Sequence, residues 1–217
     1  MILSVKNLKK TFKDGDKVLE VLKGVSFNLN KGDILTIKGP SGSGKSTLLS
    51  LLGTLDQPDS GEIIIDNNNL KDIKDYDLIR NTHIGFIFQF HNLISELNVV
   101  ENVTLPTLIA GKKIDEAYVN ELFDYFDLSS RKKSFPLDLS GGEKQRISVM
   151  RAIINKPSIV IADEPTGNLD EHNAIKMIDL FQKLNHDFNL TFVIATHDKK
   201  VFNIGDKKMN LYDGILL

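Results

Sequence analysis

Apolar and polar residues alternate through Val25, Ser26, Phe27, Asn28 and Leu29, the two-residue repeat of a strand with one buried face. Runs at 33–38 (DILTIK), at 62–66 around Ile63-Ile64-Ile65, at 158–162 (SIVIA) and at 191–196 (TFVIAT) are short and almost wholly apolar. That is the pattern of strands covered on both faces. Pro58-Asp59-Ser60-Gly61 supplies a turn ahead of the second run. Elsewhere the period changes. From Asp115 onward, Tyr118, Val119, Leu122, Phe123 and Phe126 return on one helical face, and Ala174, Met177, Ile178, Phe181 and Leu184 repeat the pattern. The segment after Leu139 predicts a helix to Asn155, with Pro157 preventing its continuation. Strands in the first third, helices in the middle and strand–helix–strand in the last third predict an α/β fold, a mostly parallel sheet covered by helices. No linker, low-complexity tract or repeat divides residues 1–217, so one domain is expected, with a helical insert at roughly 90–155.

Composition narrows the possibilities only at a few points. Apolar and charged contents of 41% and 26% are ordinary globular values. A net charge of −2 provides no global field for nucleic acid, and none is expected as a partner. The basic clusters Lys112-Lys113, Arg131-Lys132-Lys133 and Lys207-Lys208 read as solvated surface. Without cysteine, neither disulfides nor thiolate metal sites can form. The first residues, MILSVKNLKKTF, do not read as a secretory signal, and no apolar run approaches the roughly 18 residues that span a bilayer. Any membrane role is expected to pass through a partner.

Three phrases carry chemistry. Gly39-Pro40-Ser41-Gly42-Ser43-Gly44-Lys45-Ser46, followed by Thr47, has the spacing of a phosphate-binding loop, set between a predicted strand and a predicted helix. Glycines let the backbone turn so that its N–H groups converge on a phosphate, and the helix start adds its positive dipole end. Lys45 is placed to neutralise the terminal phosphates of a nucleotide, and Ser46 to ligate Mg²⁺. Asp163 and Glu164 follow the apolar run Ile159–Ala162, which delivers them to a strand's carboxyl end, where α/β sheets bind ligands. Asp163 is the expected Mg²⁺ holder and Glu164 the expected polariser of the attacking water. The third phrase is Leu139-Ser140-Gly141-Gly142-Glu143. Ser140 and Glu143 form a capping box, and the paired glycines leave backbone N–H groups open to an anion. A second phosphate site on one chain points to two copies arranged head to tail, each Ser140 reaching the other's nucleotide.

In this order the phrases resemble those of the ATP-binding cassette ATPases, over nearly the whole chain. The resemblance implies a P-loop NTPase fold, with an N-terminal antiparallel β subdomain and a helical subdomain set into the core. It also implies ATP and Mg²⁺ as cofactors and a sandwich dimer. By the same resemblance, Phe12 would stack on adenine, and Gln89 would link the metal site to the helical subdomain. Gly167-Asn168-Leu169-Asp170 would touch the dimer mate, and His197 would contact the γ-phosphate. Ser140 to Glu143 would face the mate's ATP. Finer stretches, LLGTLDQPDSGEI, FIFQFHNLISELNVVENVTLP and ADEPTGNLDEHNA, are similar to cassettes that power lipoprotein release. Macrolide-type exporters and cell-division cassettes that regulate cell-wall hydrolases share much of this pattern and stay as alternatives. Integral membrane permease subunits, and a peripheral position on the cytoplasmic face of the inner membrane, are what this likeness implies.

Overall fold

The computed structural model describes residues 1–15 and 17–217. Its N-terminal half is built on a long hairpin of β1 (Leu3–Asp14) and β2 (Lys17–Leu29). The free edge of β1 pairs with β4 (Ser60–Ile65), which pairs with β5 (Asn68–Asn69), giving an antiparallel sheet ordered β2-β1-β4-β5. A second sheet runs from β10 (Ile215–Leu216) through β9 (Lys207–Tyr212), β3 (Ile34–Lys38), β8 (Phe192–Thr196) and β7 (Ile159–Asp163) to β6 (Ile84–Ile87). All its neighbouring pairs are parallel except β10 with β9.

Helices cover both faces of the parallel sheet, which explains why its strands read as continuous apolar runs. On one side Leu35, Ile37, Ile159, Ile161, Val193 and Ala195 pack with α1 (Lys45–Leu52) and the antiparallel sheet. On the other, Val160, Ala162, Phe192 and Ile194 meet α4 (Glu116–Tyr125), α5 (Gly141–Ile153) and α6 (Glu171–Phe188). Adjacent residues of β7 and β8 thus serve opposite cores, as the two-residue period of a strand requires. The remaining helices are α2 (Tyr76–His83), α3 (Val99–Ile109) and the short α7 (Lys199–Asn203).

The expected α/β class holds, and the Phe123 and Phe181 stripes are core, both fully buried. The expected apolar strands shift by one or two residues at their ends, and two helix boundaries also differ. Asp115 caps α4 rather than lying inside it. α5 ends at Ile153, short of the expected Asn155. There the Asn155 side chain turns away to donate to Asn81 and accept from Thr107, and Lys156 takes φ +54°. Strand β6, with only four residues and a glycine, has little periodicity to read. Its glycine is required: a Cβ on Gly85 would lie 2.3 Å from the carbonyl oxygen of Ala152, because α5 packs directly on this strand.

Phe181 has no exposed surface and its ring meets Phe192 at 5.5 Å, tilted by 59°. Phe181→Ala should therefore lower the free energy of unfolding by about 3–5 kcal/mol in denaturant titration, the usual cost of an aromatic cavity.

Candidate active site

The loop from Gly39 to Ser46 leaves β3 and enters α1. Gly44, the residue before α1, has φ +101°, and a Cβ there would lie 2.9 Å from the Val21 carbonyl oxygen of β2. Both the backbone angle and the neighbouring strand exclude a side chain. Gly39 is crowded in another way: a Cβ would approach the Leu211 carbonyl oxygen of β9 to 2.1 Å. The Lys45 ammonium folds back over the loop, donating to the carbonyls of Gly39 at 2.8 Å and Pro40 at 3.0 Å. Beneath it Ser43 is buried, its hydroxyl without a hydrogen-bond partner among the described residues.

Asp163 and Glu164 follow on from β7. Burial pushes the Asp163 carboxyl above its ordinary range. A hydrogen bond with Ser46 opposes this, the Glu164 charge adds to it and the Lys45 charge opposes it. Glu164 sits at φ +47°, an unfavourable conformation for a residue with a side chain. It is held there by a backbone bond to the Ala195 carbonyl at 2.9 Å. Its Oε2 accepts the backbone N–H of His197 at 3.2 Å and lies 2.9 Å from His197 Nδ1. Gln89, two residues past β6, accepts at its carbonyl from Asn168 at 2.9 Å, while its own side-chain amide reaches Asn168 at 3.4 Å.

These groups converge. A cavity of about 580 Å³ is lined by Phe12, the loop residues Gly39, Ser41, Gly42 and Gly44 to Thr47, and by Gln89, Asp163, Glu164 and His197. Phe12 is 43% exposed at its mouth, with the Lys10 ammonium 5.1 Å from the ring centre. Pro40 and Ser43 belong to the loop but do not line the cavity. Neither do Ser140, Gly141, Gly142 and Glu143.

That last group starts α5. The Ser140 hydroxyl and the Glu143 carboxylate are 2.8 Å apart, each also meeting the other's backbone N–H, which is the expected capping box. Burial alone would raise the Glu143 carboxyl. Hydrogen bonds from Ser140 and the Arg131 guanidinium outweigh it and hold the group below its ordinary value. A Cβ on Gly141 would meet nothing, so this N-terminus is open, whereas Gly142 packs on Asn173 of α6.

Three contributing residues escaped the sequence reading. Gln145 of α5, fully buried, donates to the Phe88 carbonyl at 3.5 Å. Arg151 of the same helix donates to the carbonyls of His91 at 2.9 Å and Asn92 at 2.7 Å. Buried Asn102 of α3 binds the backbone of Ile94 and Leu97. Together they hold the loop that carries Gln89. The available signal was a set of polar residues inside otherwise apolar helix faces, which are costly unless paired.

A family model described as ABC transporter matches residues 22–167. The chain belongs to the ABC transporter family. Among curated relatives, the lipoprotein-releasing system ATP-binding protein LolD of Bacteroides fragilis is 46% identical over 203 residues, covering 92% of this chain and 94% of its own. The protein of the same name from Cytophaga hutchinsonii is 44% identical over 220 residues, covering 100% and 99%. Among solved structures, the dimeric ATP-binding cassette MJ0796, in a post-hydrolysis state bound to ADP and phosphate, superposes with a TM-score of 0.88 at 38% identity. That match covers 99% of this chain and 96% of the other. The fold is thus that of an ABC ATPase cassette, and this ABC protein is an ATPase subunit of its family.

The site fits a magnesium nucleotide on its own chemistry. A triphosphate is matched by a glycine loop with a lysine folded over it. Mg²⁺, which takes one or two protein oxygens and fills the rest with water and phosphate, is matched by Ser46 beside Asp163. In the ligand-free cassette the raised Asp163 carboxyl disfavours folding once it ionises. Its penalty is absent below the unfolded-state pKa and grows as pH rises through the folded one. Asp163→Asn should therefore raise the melting temperature of the ligand-free protein at pH 7, with the gain vanishing in acid. The same variant should lose the further stabilisation that Mg²⁺ with ATP gives the native chain in a thermal-shift series.

Proposed function

We propose that this cassette hydrolyses ATP as half of a two-copy sandwich, and that the work releases lipoproteins from a membrane through separate membrane-spanning subunits. One observation carries the first part. A single cavity gathers the phosphate loop, Asp163, Glu164, Gln89 and His197, while the open helix start at Ser140 and Gly141 lies outside it. Two phosphate-seeking sites that do not share a cavity within one chain are used together when a second copy supplies the other half. The dimeric cassette superposed above supports this reading.

Within that frame each residue has a task. Phe12 offers a π-face to the base. Lys45 leaves the carbonyls of Gly39 and Pro40 for the terminal phosphates, a transfer from neutral acceptors to charged ones. Ser46 and Asp163, helped by Gln89, would hold Mg²⁺, which supplies charge neutralisation at the phosphate oxygens. Glu164 is the general base that orients water and takes its proton. His197, bonded to Glu164 through both its ring and its backbone N–H, fixes that carboxylate and faces the phosphate side. The helical segment at roughly 90–155 carries Ser140 towards the second copy.

The membrane partner rests on a groove and on the relatives' names. Between α2, α3 and β6 lies a cavity of about 470 Å³ whose walls include Leu55, Phe86, Phe88, Leu105 and Ile109. Leu55 and Ile109 are more than half exposed. Among the described residues no helix is long and apolar enough to cross a membrane, so the groove is the proposed seat of a permease segment. Lipoprotein as cargo follows the function printed for the curated relatives.

Glu164→Gln should retain ATP affinity yet slow hydrolysis by about 10²–10⁴-fold and accumulate an ATP-bound dimer; normal turnover would remove Glu164 as the base. Lys45→Ala should raise the Kd for ATP with Mg²⁺ by about tenfold or more, from loss of a charge-assisted contact, in an equilibrium binding titration. Purification in detergent should recover membrane subunits whose reconstitution with this chain releases lipoprotein on ATP addition. Recovery of a complex that moves a drug or peptide, or that only switches a cell-wall hydrolase, would replace the cargo reading and leave the ATPase intact.

A further inference from the structure

We infer that Arg131 is a positioning residue of the Ser140 site: it cancels the charge of Glu143, and so lets a second copy's phosphate approach the start of α5. The inference rests on the sandwich reading above.

The capping box here ends in a carboxylate. Glu143 accepts the Ser140 backbone N–H at 2.8 Å and the Ser140 hydroxyl at 2.8 Å, all through Oε2. A full negative charge therefore lies against the one hydroxyl that has to meet a phosphate, at a helix start whose positive end would otherwise attract it. An incoming phosphate and this carboxylate compete for the same hydroxyl proton and repel one another. The second carboxylate oxygen is not free. Oε1 accepts from Arg131 Nε at 2.9 Å.

Arg131 is placed for this task by the backbone. It ends a 3-10 turn, Ser129–Arg131, closed by its N–H on the Leu128 carbonyl, and its own carbonyl accepts from Ser134. The chain then returns through Pro136 and Leu139, both buried, to Ser140. The guanidinium meets the Glu143 oxygen that Ser140 does not use, and the Arg131 side chain stays 47% exposed, while the Glu143 side chain is 15% exposed. Charge cancellation is thus combined with open space at Gly141, where an added Cβ would meet nothing within 4 Å. A lysine there would keep the charge but lose the directed Nε donor.

The test measures the ATP concentration, with Mg²⁺, at half-maximal dimer formation in the Glu164→Gln background by light scattering. It is paired with ATP affinity of the monomer. Arg131→Met should raise the dimerisation midpoint about fivefold or more, with monomer affinity changed by less than about twofold. The defect should shrink when ionic strength rises from about 0.05 to about 0.5 M, as screening weakens the uncompensated carboxylate. Arg131→Lys should fall between the two. Adding Glu143→Gln to Arg131→Met should restore the midpoint to within about twofold, because the amide keeps the acceptor and removes the charge. A merely structural Arg131 would not be rescued this way. An unshifted midpoint for Arg131→Met, a double variant as impaired as the single, or an equal loss of monomer affinity would each overturn the inference. Ser140→Ala in the same background separates the two levels. If it dimerises normally, the sandwich reading falls. If it is impaired while Arg131→Met is not, only the role of Arg131 falls.

Discussion

Hydrogen bonding between β3, β8 and β7 sets Lys38 beside Thr196 and Asp163 beside Ala195. The chain continues from those ends into Gly39, His197 and Glu164. β6, in register with β7 at Ile87 and Ala162, delivers Gln89 to the same edge. A slip of one residue in any pair would exchange the side chains that the two cores receive, which their close packing resists. Two apolar cores, one on each face, therefore enforce the register, and the register places the chemistry. The order β9-β3-β8-β7-β6 is what makes residues 39, 89, 163 and 197 neighbours.

The site so formed is held against its own preferences. Asp163 is half-buried beside a second carboxylate, and its ionisation is disfavoured. Glu164 occupies a left-handed backbone conformation that the surrounding ladder imposes. Lys45 spends its donors on loop carbonyls, a satisfied but weaker arrangement than a phosphate would provide. In the proposed function, the Lys45 and Asp163 arrangements would be relieved by a magnesium nucleotide, so that binding energy would meet an orientation already prepared.

In the proposed sandwich, helix α5 would connect the two halves of the chemistry. Its first turn presents Ser140 and Gly141, and its body grips the loop after Gln89 through Gln145 and Arg151. A donor set spread along one helix means that displacement of α5 moves the Ser140 site and the Gln89 loop together. The groove beside it shares Arg151, Phe88 and Ala152 with this linkage, so an occupant of that groove would touch the same elements.

The local patterns were legible in the chain alone. The glycine spacing before Lys45, the acidic pair after Ile159–Ala162 and the Ser140–Glu143 box each depend on a few consecutive residues, whose backbone demands are local. The doubly covered strands were visible because burial on both faces removes polar residues. Tertiary structure decided the rest. Four-residue β6 has too few positions to show a period, and its Gly85 is explained only by the Ala152 carbonyl on α5. Pairings such as Arg151 with His91 and Asn92 join residues about sixty positions apart, where no local pattern operates. The same holds for the separation of Ser140 from the cavity around Lys45. Short-range sterics write themselves into spacing, whereas packing between distant segments depends on the shape of both partners once folded.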